Sequence, residues 1–501
     1  MSHEESRSAR IRARLDHPVI DSDAHIMEFV PALFDFIHER EGDDFFERFL
    51  ELCGLPLGPM GTRNTPERVS WQALTPNQRR EAWAIRPPWS MPHEKMLDWM
   101  TVMLPQLLYE RLDELGLDYV VAFPTMGLGY PHIEDDEIRV GVCRLYNEFI
   151  QGQYGEFRDR LTVPALIPMH TPQEAVGELE RAAALGAKVA MIPSYVFRPI
   201  AKLSQKYPQL EECDRPLWMD TYGIDSQYDY DPVWSRAIEL GLPLACHSGG
   251  QGFPDRRSTS NYMYNHIGHF AQAGEALCKS LFFGGVTRRF PKLRIAFLEG
   301  GVSYGVRIYA DLFGRWEKRG AAALRRYRPE WIDIEQAVDL LARFGGKLGE
   351  GREGQLREML EARRAAFQID LARDDEFAAA GIESAEDIRD RFLPNFFFGC
   401  EADDPLNVWA FDRKLNPLGA SISALLSSDM GHWDVEDLTD PLAEAYELVE
   451  GGHMTDADFR AFAFSNAVRF YGGMNPAFFE GTRVESEAQT ILAKESEGRG
   501  R

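Results

Sequence analysis

Residues 242–250 read Leu-Pro-Leu-Ala-Cys-His-Ser-Gly-Gly, a short apolar run that ends in a polar residue and then turns. The same design recurs at Val19–Asp23, Asp118–Pro124, Thr162–Pro168, Lys188–Pro193, Leu293–Glu299, Asn395–Cys400 and Ala424–Asp429. Apolar runs of this length read as parallel strands buried on both faces. Helical patterns lie between them. Thr171-Pro172 opens one that ends near Gly186, with Thr as the cap and Pro at the first position. Asp231-Pro232 opens another that closes at Gly241, and Glu134–Arg158 and Asn265–Ser280 also read as helices. Eight strand–helix alternations predict an α/β protein, a (β/α)8 TIM barrel, with a doubly wound open sheet as the alternative. The barrel places chemistry at the carboxyl ends of its strands.

A minimal barrel needs roughly 250 residues, and the chain has 501. The surplus falls in two stretches of one barrel domain spanning 1–501. Residues 31–117 separate strands one and two, and residues 311–393 separate strands six and seven. Both are too long for plain connections and are expected to be largely helical. The first is rich in Trp and Pro (Trp71, Trp83, Pro87, Pro88, Trp89, Trp99). It follows strand one on the active face, which suits a lid and substrate wall; an outer buttress or dimer surface is the alternative.

The composition is that of an ordinary globular chain, 44% hydrophobic and 27% charged. A net charge of -24 repels phosphate backbones and anionic lipid, so neither nucleic acid nor membrane is expected as a partner. Met1 to Asp16 is polar, with no apolar core of a signal peptide. The six cysteines include no CxxC pair. A cytoplasmic enzyme acting on a small molecule, as a homo-oligomer, is the expectation.

Strand one ends Asp21-Ser22-Asp23-Ala24-His25, and alternation puts Asp21, Asp23 and His25 on one face. Strand five ends in His247, and strand eight ends in Asp429 with His432 three residues on. Buried polar groups at strand ends need partners. Asp23, His25, His247 and Asp429 therefore converge at one barrel mouth as a mixed N/O site of the kind Zn(II), Fe(II) or Mn(II) accepts.

These residues also carry a resemblance. Asp23-Ala24-His25, His247, Phe282-Phe283-Gly284-Gly285-Val286 through Phe290-Pro291-Lys292-Leu293, Asp429 and a closing Ser465-Asn466-Ala467 resemble the amidohydrolase-related superfamily. The nearest subgroup is similar to aminocarboxymuconate-semialdehyde decarboxylase. The resemblance implies one divalent ion, usually zinc, and cleavage of C–N, C–O or C–C bonds or removal of a carboxylate. Two departures stand out. The decarboxylases carry a catalytic His in a His-Gly-Gly context at the end of strand six, where this chain reads Leu298-Glu299-Gly300-Gly301. A carboxylate there is a metal ligand before it is a base. The other is Asn265-His266-Ile267-Gly268-His269, two histidines at a spacing that shares one helix face.

The donors then exceed the need of one ion: Asp23, His25, His247, His266, His269, Glu299, Asp429 and His432. This supply suits two divalent ions, with iron a natural candidate. The Asn-His-Ile-Gly-His and Leu-Glu-Gly-Gly elements resemble a group of TIM-barrel non-haem diiron monooxygenases that favour CoA-linked substrates. The expected function is accordingly a diiron monooxygenase hydroxylating a bulky apolar, CoA-linked acid, with Glu299 and His247 as catalytic residues. The alternative is a mononuclear hydrolase or decarboxylase with one zinc and Glu299 as base. Glu401 is left open as ligand, supporting group or surface acid. His170 lines the pocket or caps the Thr171 helix. Lys188, at a strand start, faces the barrel bottom, which argues against a carbamylated bridging lysine.

Overall fold

The structure is a computed structural model and describes residues 6–52, 75, 91–206, 217–248, 253, 256, 258, 261–366 and 369–499. Eight parallel strands form its centre. They are β1 (Ile20–Ile26), β2 (Tyr119–Pro124), β3 (Leu161–Thr162, continued by Ala165–Leu166), β4 (Ala190–Pro193), β5 (Leu244–His247), β6 (Ile295–Phe297), β7 (Phe396–Glu401) and β8 (Ser423–Ser427). Each pairs with its neighbour in chain order, so that β1, β2 and the first half of β3 form one ladder and the second half of β3 through β8 forms another. The ladders meet inside β3, where Pro164 has no N–H to donate. The ring closes between β1 and β8: His25 donates its N–H to the Met430 carbonyl at 2.8 Å, and Asp429 donates to Asp23 at 3.0 Å. Every residue of β1 and β2 is buried, as strands covered on both faces must be.

The helices begin and end where their caps lie. Asp135 accepts from Ile138 at the start of Asp136–Tyr154. Thr171 accepts from Glu174 at the start of Pro172–Ala184. Asp231–Leu240 stops at Gly241, whose φ of 65° is the left-handed conformation glycine adopts freely. One expected helix is in fact two. Tyr262–His266 and His269–Phe283 are separated by Gly268 at φ 76°. The helical register assumed to put His266 and His269 on one face is therefore broken between them.

Helices Val30–Glu41, Asp43–Leu52, Met96–Met103 and Pro105–Arg111 occupy the first insertion. Trp71, Trp83, Pro87, Pro88 and Trp89, on which the lid reading rests, lie outside the described residues. In the second, Ser303–Arg319 packs Tyr304, Ile308, Tyr309 and Leu312 inward as the helix that follows β6. A chain of short helices then leads through Ile334–Phe344 and Glu353–Ala366 to Ala385–Phe392 and β7. An antiparallel hairpin, Val196–Pro199 with Leu217–Asp220, stands beside the barrel after β4. At the opposite end, Lys188 donates to the Phe478 carbonyl at 2.7 Å, away from the mouth.

Barrel closure depends on one glycine. Gly431 has φ 105°, and a Cβ there would stand 2.7 Å from the His25 carbonyl oxygen. Gly431→Ala is expected to cost about 2 kcal/mol or more, from backbone strain plus the clash. The urea midpoint of unfolding, measured beside wild type, checks this.

Candidate metal centre

The carboxyl ends of β1, β5, β6 and β8 deliver six side chains to one point. On β1, a register shift between Asp21 and Ala24 interrupts the simple alternation. Asp21 turns to β8, where it accepts from the Ser428 hydroxyl and, at 3.1 Å, from the Ser428 N–H. Burial raises its pKa to about 6, against the pull of those hydrogen bonds. Asp21 thus fastens the first strand to the last, while Asp23 and His25 face the mouth.

His25 is the hub. Its Nε2 lies 3.1 Å from His247 Nε2, 3.5 Å from Asp429 Oδ1, and 3.6 Å from both Asp23 Oδ1 and Glu299 Oε1. His432 Nδ1 lies 2.8 Å from Asp429 Oδ1 and 3.3 Å from Glu299 Oε1. Two overlapping donor groups result: His25, Glu299, Asp429 and His432, and Asp23, His25 and His247, with ligand atoms within 4.8 Å of one another in each.

Each imidazole is held by its other nitrogen. His25 Nδ1 lies 3.2 Å from the Pro124 carbonyl, His247 Nδ1 3.2 Å from the Ser248 carbonyl, and His432 Nε2 3.2 Å from Thr125 Oγ1. A carbonyl only accepts, so His25 and His247 carry their protons on Nδ1 and turn lone pairs inward. Two nitrogen lone pairs then face each other at 3.1 Å. Asp23 Oδ1 and Glu299 Oε2 are buried and accept no hydrogen bond. Burial, followed by the charges of neighbouring acids, pushes the Asp23 and Glu299 carboxyls well above their ordinary range. Burial holds His247 down at about 3, and burial with help from His432 and His247 also lowers His25 well below the ordinary imidazole range. For His432 burial acts downward too, but the Asp429 carboxylate overrides it and the pKa rises. Inward lone pairs and unsatisfied carboxylates are what a divalent cation satisfies, so these residues fit a metal.

Two ligand candidates sit on strained backbone. Glu299 has φ 54° and Asp429 φ 50°, both in the left-handed region. Such outliers cost about 1–3 kcal/mol and gather at functional sites.

The two loop histidines fall elsewhere. His266 lines the cavity above the cluster, with Nδ1 2.8 Å from the Tyr262 hydroxyl and Nε2 3.9 Å from Asp434. His269 is buried with its ring against Phe253, centroids 4.4 Å apart. Neither is among the converging donors, because Gly268 turns the chain between them. Glu401, left open by the sequence, ends β7 in the cavity wall, and burial and the Glu299 charge raise its pKa well above the usual range. Sequence reasoning missed Thr125 and Asp434. Thr125 directly follows the end of β2, a position the barrel rule marks as functional. The cavity, about 570 Å³, is lined by seven further carboxylates beside Glu299 and Asp429, whereas its lysine, Lys95, is paired with Asp437 at 2.6 Å.

The sequence pattern of the amidohydrolase family matches residues 20–473, and the chain belongs to that family. Among solved structures it is similar to an amidohydrolase from Mycobacterium avium subsp. paratuberculosis K-10, at 17% identity over 91% of this chain and 100% of that one, TM-score 0.49. It is similar also to the apo IDCase of Metarhizium anisopliae, at 12% identity over 91% and 98%, TM-score 0.50. A third is the manganese-bound dihydroxybenzoic acid decarboxylase from Polaromonas sp. JS666, at 16% identity over 91% and 97%, TM-score 0.46. At such identities the likeness is one of fold. None of these three is named as a monooxygenase. No described helix is long and apolar enough to cross a membrane.

Two histidines near the mouth take no part in the cluster. His132 is held at about 4 by burial, and His170 at about 3 by burial and by Arg139, His132 and Arg198. Both fall below the ordinary 6.5, so the unfolded chain binds more protons as pH drops. Their contribution to stability is complete above about pH 6.5 and is lost progressively as pH falls toward 4 and 3. A His132→Gln, His170→Gln variant is expected to lose less stability than wild type between pH 6.5 and 4, read from urea midpoints at each pH.

Proposed function

We propose that this chain is a divalent-metal-dependent enzyme that cleaves a C–N, C–O or C–C bond of a small molecule by hydrolysis or decarboxylation. One ion would be held by Asp23, His25, His247 and Asp429, with Glu299 as acid/base. The observation that carries the reading is the hub at His25, whose Nε2 has an imidazole nitrogen and three carboxylate oxygens within 3.6 Å. A bound divalent ion polarises a substrate oxygen and lowers the pKa of a water to about 7. The protein's own part is to hold the proton. Glu299 Oε2 accepts no hydrogen bond, and burial together with Asp23 favours its protonated form, so it is suited to take a proton and return it. His266, fixed by Tyr262, offers a second proton carrier on the cavity wall.

The cavity's acids disfavour a multiply charged, phosphate-bearing substrate, which weighs against a CoA ester, whereas the single carboxylate of an acid substrate would be answered by the metal ion.

One observation favours a second reading, the dinuclear oxygenase. Glu299 Oε1 lies 3.3 Å from His432 Nδ1 and Oε2 3.6 Å from His247 Nε2, so Glu299 would be a shared ligand if two ions were held by the two donor groups. The relatives named above lend it no support.

Elemental analysis of protein purified without chelators separates the two. One ion per chain, with no oxygen uptake, is expected; two irons with oxygen consumption would establish the oxygenase instead. Glu299→Gln is expected to keep its ion and lower turnover on a panel of esters, amides and aromatic acids at least 100-fold, roughly the lower end of an acid/base contribution. Loss of metal in that variant would make Glu299 a ligand. His266→Ala is expected to leave metal content unchanged.

A further inference from the structure

Helices Ile334–Phe344 and Glu353–Ala366 lie far from the metal centre in sequence and bury almost nothing. Ile334 is buried in the first, and no residue of the second is. The barrel helix Ser303–Arg319, by contrast, buries six. Two ion pairs join or brace the helices, Arg357 with Glu335 and Arg343 with Asp339. Their large apolar side chains point to solvent: Trp331 is 74% exposed, Phe344 72% and Leu348 78%, with Leu340 and Met359 also exposed. Leu340 and Phe344 stand one turn apart on one face. Helices of this length draw most of their stability from packing an apolar face, and an exposed patch of this kind marks an interaction surface.

We infer that this helical arm is a self-association surface, and that its occupant is the same arm of a second copy of this chain, packed about a two-fold axis. Charge selects the occupant. Over the arm, residues 334–366, Lys+Arg and Asp+Glu balance at 6 each, whereas over the rest of the chain acids outnumber bases by 73 to 49. Two copies repel each other across most of their surfaces, and the arm is where that repulsion is lifted. A two-fold contact places the same patch on both sides. The arm supplies both needs of such a contact, an apolar centre in Phe344 and Leu348 and a rim where Arg343, Arg352 and Arg357 alternate with Asp339, Glu335 and Glu353. A lipid surface would be the other way to cover the apolar side chains, but the acidic body behind the arm opposes approach to anionic lipid.

Light scattering during size exclusion and sedimentation equilibrium, on the full-length metal-loaded protein, test the inference. A dimer is expected whose dissociation constant tightens as NaCl rises, because salt screens the repulsion between the acidic bodies. Phe344→Glu with Leu348→Glu is expected to weaken dimerisation at least ~30-fold, the effect of losing one strong interface anchor. The milder Leu348→Ser guards against a folding defect and is expected to weaken it in the same direction, with metal content and far-ultraviolet circular dichroism unchanged. A wild-type monomer at all concentrations overturns the inference. So does a dimer that both variants leave intact, and so does arm-dependent binding to vesicles of phosphatidylcholine and phosphatidylglycerol by a protein monomeric in solution.

Discussion

Three buried carboxylates, Asp23, Glu299 and Asp429, meet three imidazoles at one end of the barrel, and such a gathering must be answered either by protons or by a cation. Each acid is pushed toward its neutral form by burial, and His25 and His247 are held neutral by the same burial. The cost of assembling such a cluster is tens of kcal/mol if it stays charged and unpaired. Placing the donors on four different strand ends turns that cost into affinity for a cation. The surroundings serve the same purpose: the Pro124 and Ser248 carbonyls and Thr125 fix the rings, and Asp21 binds Ser428 so that β1 and β8 cannot drift apart.

Much of this was legible in the sequence because a buried parallel strand has few ways to look. All eight apolar runs are strands, and the polar residues that end β1, β5, β6 and β8 reach one mouth. Caps were equally readable at Thr171 and Gly241, where a side-chain oxygen or a left-handed glycine has no substitute. The pair His266 and His269 was not legible. Spacing counts residues along an unbroken helix, and the Ile267-Gly268 turn, one glycine in the left-handed region, cancels the count. The shift on β1 likewise took Asp21 out of a face that alternation had given it. Glu401 could not be placed, since an acid after a strand reads the same whether it faces a cavity or the solvent.

Membership of the amidohydrolase family accounts for the barrel, but Glu299 departs from the His-Gly-Gly context that the resemblance to the decarboxylases implies. Where the resemblance expects an imidazole, a carboxylate stands among other carboxylates. The site becomes more negative, and the cavity above it follows suit.

The left-handed backbone at Glu299 and Asp429 has a consequence for how the protein can change. A glycine at either position would relieve the strain and leave the barrel more comfortable, yet it would delete a donor. Drift toward stability and retention of function therefore pull in opposite directions at the same two positions. Backbone ease is set against the donor set: each side chain stands there at a conformational cost that glycine would not bear.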